Sequence, residues 1–109
     1  MNGQQQLSES STRLSHIQYR DRIHIMIDIL TKLVEYGELN QTALMSFCGL
    51  NLTKHRSIIE GMEDHGLIRR EVETISKSRS ISHFKASPEG LKFFREILEP
   101  YERMFPRVQ

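Results

Sequence analysis

Asn51-Leu52-Thr53-Lys54-His55-Arg56-Ser57-Ile58-Ile59-Glu60-Gly61-Met62-Glu63-Asp64-His65-Gly66-Leu67-Ile68 reads as a helix that stops and hands over to a strand. Asn51 is a helix-capping residue, because its side-chain oxygen can accept an N–H that the first turn leaves unpaired. Ile58, Ile59 and Met62 recur at helical spacing and define an inner face. His65-Gly66 ends the helix, since glycine readily takes the left-handed conformation that follows a last turn. Leu67-Ile68 then opens an extended segment that runs to about Glu73.

Upstream, Gln41 to Cys48 reads as a short helix with Asn40 as its cap and Leu44, Met45 and Phe47 as its apolar side. Gly49-Leu50 makes the turn into the helix capped by Asn51. Before it, a longer helix starts between Ser15 and Arg22 and ends near Tyr36, with Gly37 as the stop. Ile23, Met26, Ile27, Leu30, Leu33 and Val34 form its stripe, while Ile25 and Ile29 lie off it. That is greasier than a one-sided helix requires. A second buried face, such as one against a partner chain, would account for the excess. Residues 1–14 are rich in Gln and Ser, with a lone Leu7. Such a segment buries too little apolar surface to offset its ordering entropy, so a disordered N-terminal tail is expected.

Downstream, Thr74 to Ser80 is polar and Ser-rich, as in a loop. Ile81 to Ala86 alternates with a period of two, as in a strand. The two extended segments make a hairpin with a long tip. No acidic residue falls between Thr74 and Pro88, whereas Lys77, Arg79, His83 and Lys85 do. Ser87-Pro88-Glu89 starts another helix: a cap, a proline in the first turn, an acid beside the helix N-terminus. That helix carries Leu91, Phe94, Leu98, Tyr101 and Phe105 at alternating steps of three and four, a heptad seam, with Phe93, Ile97 and Met104 beside it. Pro100 interrupts it at a cost of about 3 kcal/mol, so a kink or a fresh turn starting at Glu99-Pro100 is expected.

This order of elements resembles the winged helix-turn-helix family. Within that family it is similar to the small archaeal winged-helix DNA-binding proteins that dimerise through a C-terminal helix. The residues that carry the resemblance are Ile29-Leu30, Thr42-Ala43-Leu44-Met45, Leu50-Asn51, Ile58-Ile59 with Met62, Gly66-Leu67-Ile68 and Ser87-Pro88-Glu89-Gly90. His55 stands where the family usually has an apolar residue. The fold class implied is mainly α with a small β-hairpin (α+β): a winged helix-turn-helix over residues 15–87, with an additional C-terminal dimerisation helix and tail over 88–109.

The resemblance implies that the third helix lies in the major groove of double-stranded DNA. Its outward residues would be Leu52, Thr53, Lys54, Arg56 and Ser57. Arg56 suits a fork to guanine, Lys54 and Thr53 suit phosphate or base, and Leu52 suits a thymine methyl. Lys77 and Arg79 at the wing tip suit phosphate or the minor groove. Of Arg69 and Arg70, one is a phosphate candidate and ion pairs with Glu71 or Glu73 compete for them. Two-fold pairing through Leu91, Phe94, Leu98, Tyr101 and Phe105 would present two such helices to one duplex.

Other classes find little support. The net charge of +1 does not suggest a general polyanion binder, so any basic face must arise from distribution. The single cysteine, Cys48, excludes an internal disulfide and suits a reducing compartment. The five histidines lack zinc-site spacing, and no metal or cofactor is expected. No nucleophile constellation, phosphate loop or carboxylate pair appears, so an enzyme and a small-molecule substrate are not expected. No apolar run is long enough to span a membrane and no secretory signal is visible, so a cytoplasmic, nucleoid-associated protein is expected. The expected function is a dimeric transcription regulator. The alternatives are a winged-helix module for protein contact and an architectural chromatin protein without sequence specificity.

Overall fold

The computed structural model describes residues 21–107. The expected N-terminal tail, residues 1–14, lies outside them. Helix α1 (Arg22–Tyr36) begins where Asp21 accepts the His24 N–H at 3.1 Å. It ends where Gly37, at φ 80°, donates to the Leu33 carbonyl. A two-residue strand β1 (Leu39–Asn40) follows, then α2 (Gln41–Cys48), capped by Asn40 and closed by Gly49 in the left-handed region. Helix α3 (Leu52–Asp64) is capped by Asn51, whose side chain accepts the Lys54 N–H at 3.1 Å. The cap is reciprocal: the Asn51 N–H donates to His55 Nδ1 at 3.0 Å. His55 therefore does at the start of α3 what an apolar residue cannot, satisfying a second orphan donor.

Strands β2 (Ile68–Ser76) and β3 (Arg79–Ala86) form the hairpin. Their pairing runs to Ser76 opposite Arg79, with an irregularity between Thr74 and Ser76. The tip is thus a tight turn at Lys77-Ser78, shorter than the loop expected from the polar sequence. Backbone ladder bonds do not require apolar side chains, and Thr and Ile are good strand residues. Strand β1 pairs with β3, Leu39 opposite Phe84 and Asn40 opposite His83. The hairpin is therefore part of a three-stranded antiparallel sheet in the order β1-β3-β2.

The core gathers around α1. Ile29, Leu30, Leu33, Leu44, Ile59, Met62 and Phe84 are almost completely buried. Each such side chain contributes about 1.5–3 kcal/mol by leaving water. Ile25 and Ile29 are buried by this chain alone, because α1 lies against α2, α3, β3 and the C-terminal helix. The excess of apolar residues on α1 thus needs no partner chain. Val34 and Phe47 are exposed instead of core, and the Phe47 ring stacks on Tyr36 at 5.1 Å.

The C-terminal helix runs as α4 (Pro88–Phe93), a wide π turn over Phe94–Leu98, and α5 (Glu99–Met104). Pro100 has no N–H for the carbonyl of residue 96, and its ring crowds that carbonyl. The wide turn before it relieves the crowding: the Glu99 N–H reaches back to the Phe94 carbonyl, and the helix continues through Pro100. The seam residues Leu91, Phe94, Leu98 and Tyr101 turn toward the chain's own core, and Phe105 lies past the helix end and is exposed. Phe94 and Leu98 are 8% and 3% exposed and belong to the chain's own core. Leu91 and Tyr101 are half-buried, whereas Ile97, Met104 and Phe105 are exposed.

The helix is seated at its start. Ser87 caps it by accepting the Gly90 N–H at 2.9 Å and donates its hydroxyl to the Gly66 carbonyl. Gly90 is buried so closely against the Leu67 backbone that a Cβ would fall 1.9 Å from the carbonyl oxygen. No helix among the described residues is long and apolar enough to cross a membrane.

Candidate nucleic-acid interface

The amphipathic split of α3 places its two faces differently. Ile58, Ile59 and Met62 enter the core, and Thr53, Lys54, Arg56 and Ser57 are exposed along the first two turns. Leu52 departs from expectation: it is half-buried and packs on the core. It occupies the first helical position, where the chain still turns out of α2, and its side chain closes that turn. A contact from Leu52 to a thymine methyl is therefore not favoured by its placement, and four outward residues remain on α3.

Lys77 lies in the turn of the wing, Arg79 directly follows it, and both are exposed. The rest of the basic stretch is neutralised across the sheet. His83 Nε2 lies 2.9 Å from Glu73, and its Nδ1 lies 3.4 Å from Glu38. Lys85 Nζ lies 3.7 Å from Glu38. These acids are distant in sequence but adjacent in the sheet, so the basic surface contracts from the whole wing to its tip.

Arg70 pairs with neither of its neighbours Glu71 and Glu73. Its Nε and Nη2 donate to both oxygens of Glu63 at 3.0 and 2.9 Å, and Nη1 donates to Ser82 at 3.2 Å. Its guanidinium also lies 4.9 Å from the Phe84 ring centre. The bonds from Glu63 raise the guanidinium pKa above its already high ordinary value. Two-point geometry of this kind fixes orientation as well as charge. Arg70 thus ties β2 to the end of α3. Nothing in the turn around Glu63 marks it in the sequence as a partner for residue 70.

Lys54, Arg56, Lys77 and Arg79 have no ion-pair partner among the described residues. Two cations at the start of α3 and two at the wing tip are therefore available to an external polyanion. The described residues contain no group of three His, Cys, Asp or Glu side chains placed to hold a metal ion. Cys48 is buried, the position expected of a packing residue.

Comparison with known proteins agrees with this geometry. No curated protein matches the sequence. Among solved structures, the crystal structure of a transcriptional regulator of the MarR family from Silicibacter pomeroyi superposes with a TM-score of 0.58 at 24% identity. The match covers 78% of this chain and 58% of that one, so this chain spans little more than half of that regulator. At that identity the likeness speaks for the fold. A family model described as winged helix-turn-helix matches residues 19–104, nearly all of the described chain. With a capped α3 behind a short α2, a sheet-borne wing held to α3 by Arg70, and a sequence match across the whole unit, this chain belongs to the winged helix-turn-helix family.

Proposed function

We propose that this protein binds double-stranded DNA and acts as a dimeric transcription regulator. The observation that carries the reading is the pair of unneutralised cation clusters, Lys54 with Arg56 on α3 and Lys77 with Arg79 on the wing, while the neighbouring cations Arg70 and Lys85 are paired. Exposed ion pairs contribute little, so what distinguishes these four cations is their placement on the outward side of α3 and at the wing tip. Leaving these four open gives a helix for the major groove and a tip for the backbone or minor groove. Thr53 and Ser57 add hydroxyls for phosphate or base on the same helix. The Silicibacter pomeroyi protein of similar fold is a transcriptional regulator, which supports the regulator reading. A cytoplasmic, nucleoid-associated location follows from it.

Dimerisation is proposed through the outer side of the C-terminal helix. Phe94 and Leu98 are committed to the core, so the contact would use Ile97, Met104 and Phe105, with Tyr101 and Leu91 beside them. Neighbouring exposed apolar side chains of this size commonly mark an interface.

The test is binding of a fluorescent random duplex across a salt series, followed by selection from a random pool. A DNA binder weakens steeply as salt rises. Enrichment of a palindrome supports a dimeric regulator. Tight binding without enrichment indicates an architectural protein. No binding at low salt rejects the DNA reading in favour of a protein-contact module.

A further inference from the structure

We infer that a cleft behind α3 is a binding site for an amphipathic organic anion, a small molecule with an apolar body and one acid group. The cleft encloses about 380 Å³ between the first turns of α1, the inner side and end of α3, and the C-terminal helix. Small-molecule sites typically span roughly 300–1,000 Å³, with apolar walls and a few polar groups. Here Met26, Met62 and Phe93 supply apolar walls, and the methionines are adaptable in shape. The charged and polar lining comes from Arg22 and His65, and no lining residue is acidic. Arg22 has no ion pair among the described residues. His65 Nδ1–H donates to the Gly61 carbonyl at 2.8 Å, which in the neutral ring leaves Nε2 an acceptor, so the contact to an anion falls to the Arg22 guanidinium.

Gly61 is the independent observation. It lies in the interior of α3, where glycine is less favourable than any residue except proline. It is not among the glycines with positive φ. A Cβ there would meet nothing nearer than Arg22 Nη2 at 3.9 Å, an ordinary contact. Neither backbone conformation nor crowding requires glycine at this position. A side chain at 61 would instead occupy the cleft that Gly61 lines. The position therefore sacrifices helix stability and keeps the space open.

An apolar body against Met26, Met62 and Phe93, with its acid group at Arg22, satisfies both parts of the lining. The site touches the rear of the helix whose front carries Lys54 and Arg56. A consequence for DNA affinity rests on the DNA-binding reading, but ligand binding itself does not.

The experiment is calorimetry on the full chain without DNA, using decanoate and 2-naphthoate, with decanamide and 2-naphthamide as uncharged counterparts. The two acids represent a lipid-like and an aromatic source of the same chemistry. At least one acid is expected to bind once per chain, with its amide about tenfold weaker or worse for loss of the charge-assisted contact. Gly61→Leu should abolish binding while the protein still melts cooperatively, and Arg22→Met should weaken it. Methyl NMR of the wild type gives a check that needs no variant: shifts should appear at Met26 and Met62 and not at Met45. Failure of both acids to bind at about 1 mM, equal binding of acid and amide, or shifts away from Met26 and Met62 would each overturn the site. With no DNA in the cell, such failure leaves the DNA-binding reading untouched.

Discussion

Arg107 closes a fork on Asp28, 79 positions earlier in the chain: Nη2 to Oδ1 at 2.7 Å and Nη1 to Oδ2 at 3.2 Å. The same guanidinium donates to Glu102 at 3.0 Å and to the His24 carbonyl at 3.3 Å. These bonds, Asp28 foremost, raise the Arg107 pKa further above its ordinary value. The last described residue therefore clamps the C-terminal helix onto α1 of its own chain.

Replacing Arg107 with Ala should lower unfolding stability by about 1 kcal/mol, since the pair is two-pronged but still partly solvated. Urea denaturation measures this. Amide exchange in α5 should quicken while exchange in α2 stays unchanged. Equal quickening in both helices would contradict a local clamp.

Gly90→Ala should be far more damaging. Its Cβ would collide with the Leu67 carbonyl, which is backbone and cannot swing aside. The loss should be about 3 kcal/mol or more, with the helix start and the α3–β2 turn disrupted together. Urea unfolding of the variant decides it, and a loss below about 1 kcal/mol would show that the close approach relaxes easily.

For DNA binding, Arg56→Ala should cost about 1–3 kcal/mol on a selected sequence and relax preference at one base position. Titration against the selected site and against single-base variants reads both effects. Unchanged affinity together with unchanged preference would remove Arg56 from the interface.

The wing should behave differently. The double replacement of Lys77 and Arg79 by Ala should weaken binding to all sequences alike. It should make the slope of log affinity against log salt shallower by up to about two. A slope identical to the wild type would mean that the tip stays clear of DNA.

Assembly has its own test. Ile97→Glu combined with Met104→Glu alters two exposed positions. The protein should fold as before but sediment as a monomer near the 12.8 kDa chain mass, whereas the wild type sediments as a dimer. A wild-type monomer at micromolar concentration would reject the proposed dimer. Leu98→Asp is uninformative here, because it buries a charge in the chain's own core.

The helices and their ends are written in short stretches of chain. Asn40, Asn51 and Ser87 cap the helices they precede, and Gly37, Gly49 and Gly66 take positive φ where helices stop. Those signals act over three or four residues, so a linear reading contains them. The outward cations of α3 were legible for the same reason, since helical periodicity separates them from Ile58, Ile59 and Met62. What depends on distant partners emerged only when the chain was folded. Two residues of β1 carry no pattern of their own and become a strand because β3 offers Phe84 and His83 as partners. The basic wing shrank to Lys77 and Arg79 because Glu38 and Glu73 face His83 across the sheet. The heptad seam from Leu91 to Tyr101 packs on the chain's own core, because the C-terminal helix lies against α1. Local periodicity records which residues are apolar, whereas the packing of α1 against the C-terminal helix selects which of them the core takes.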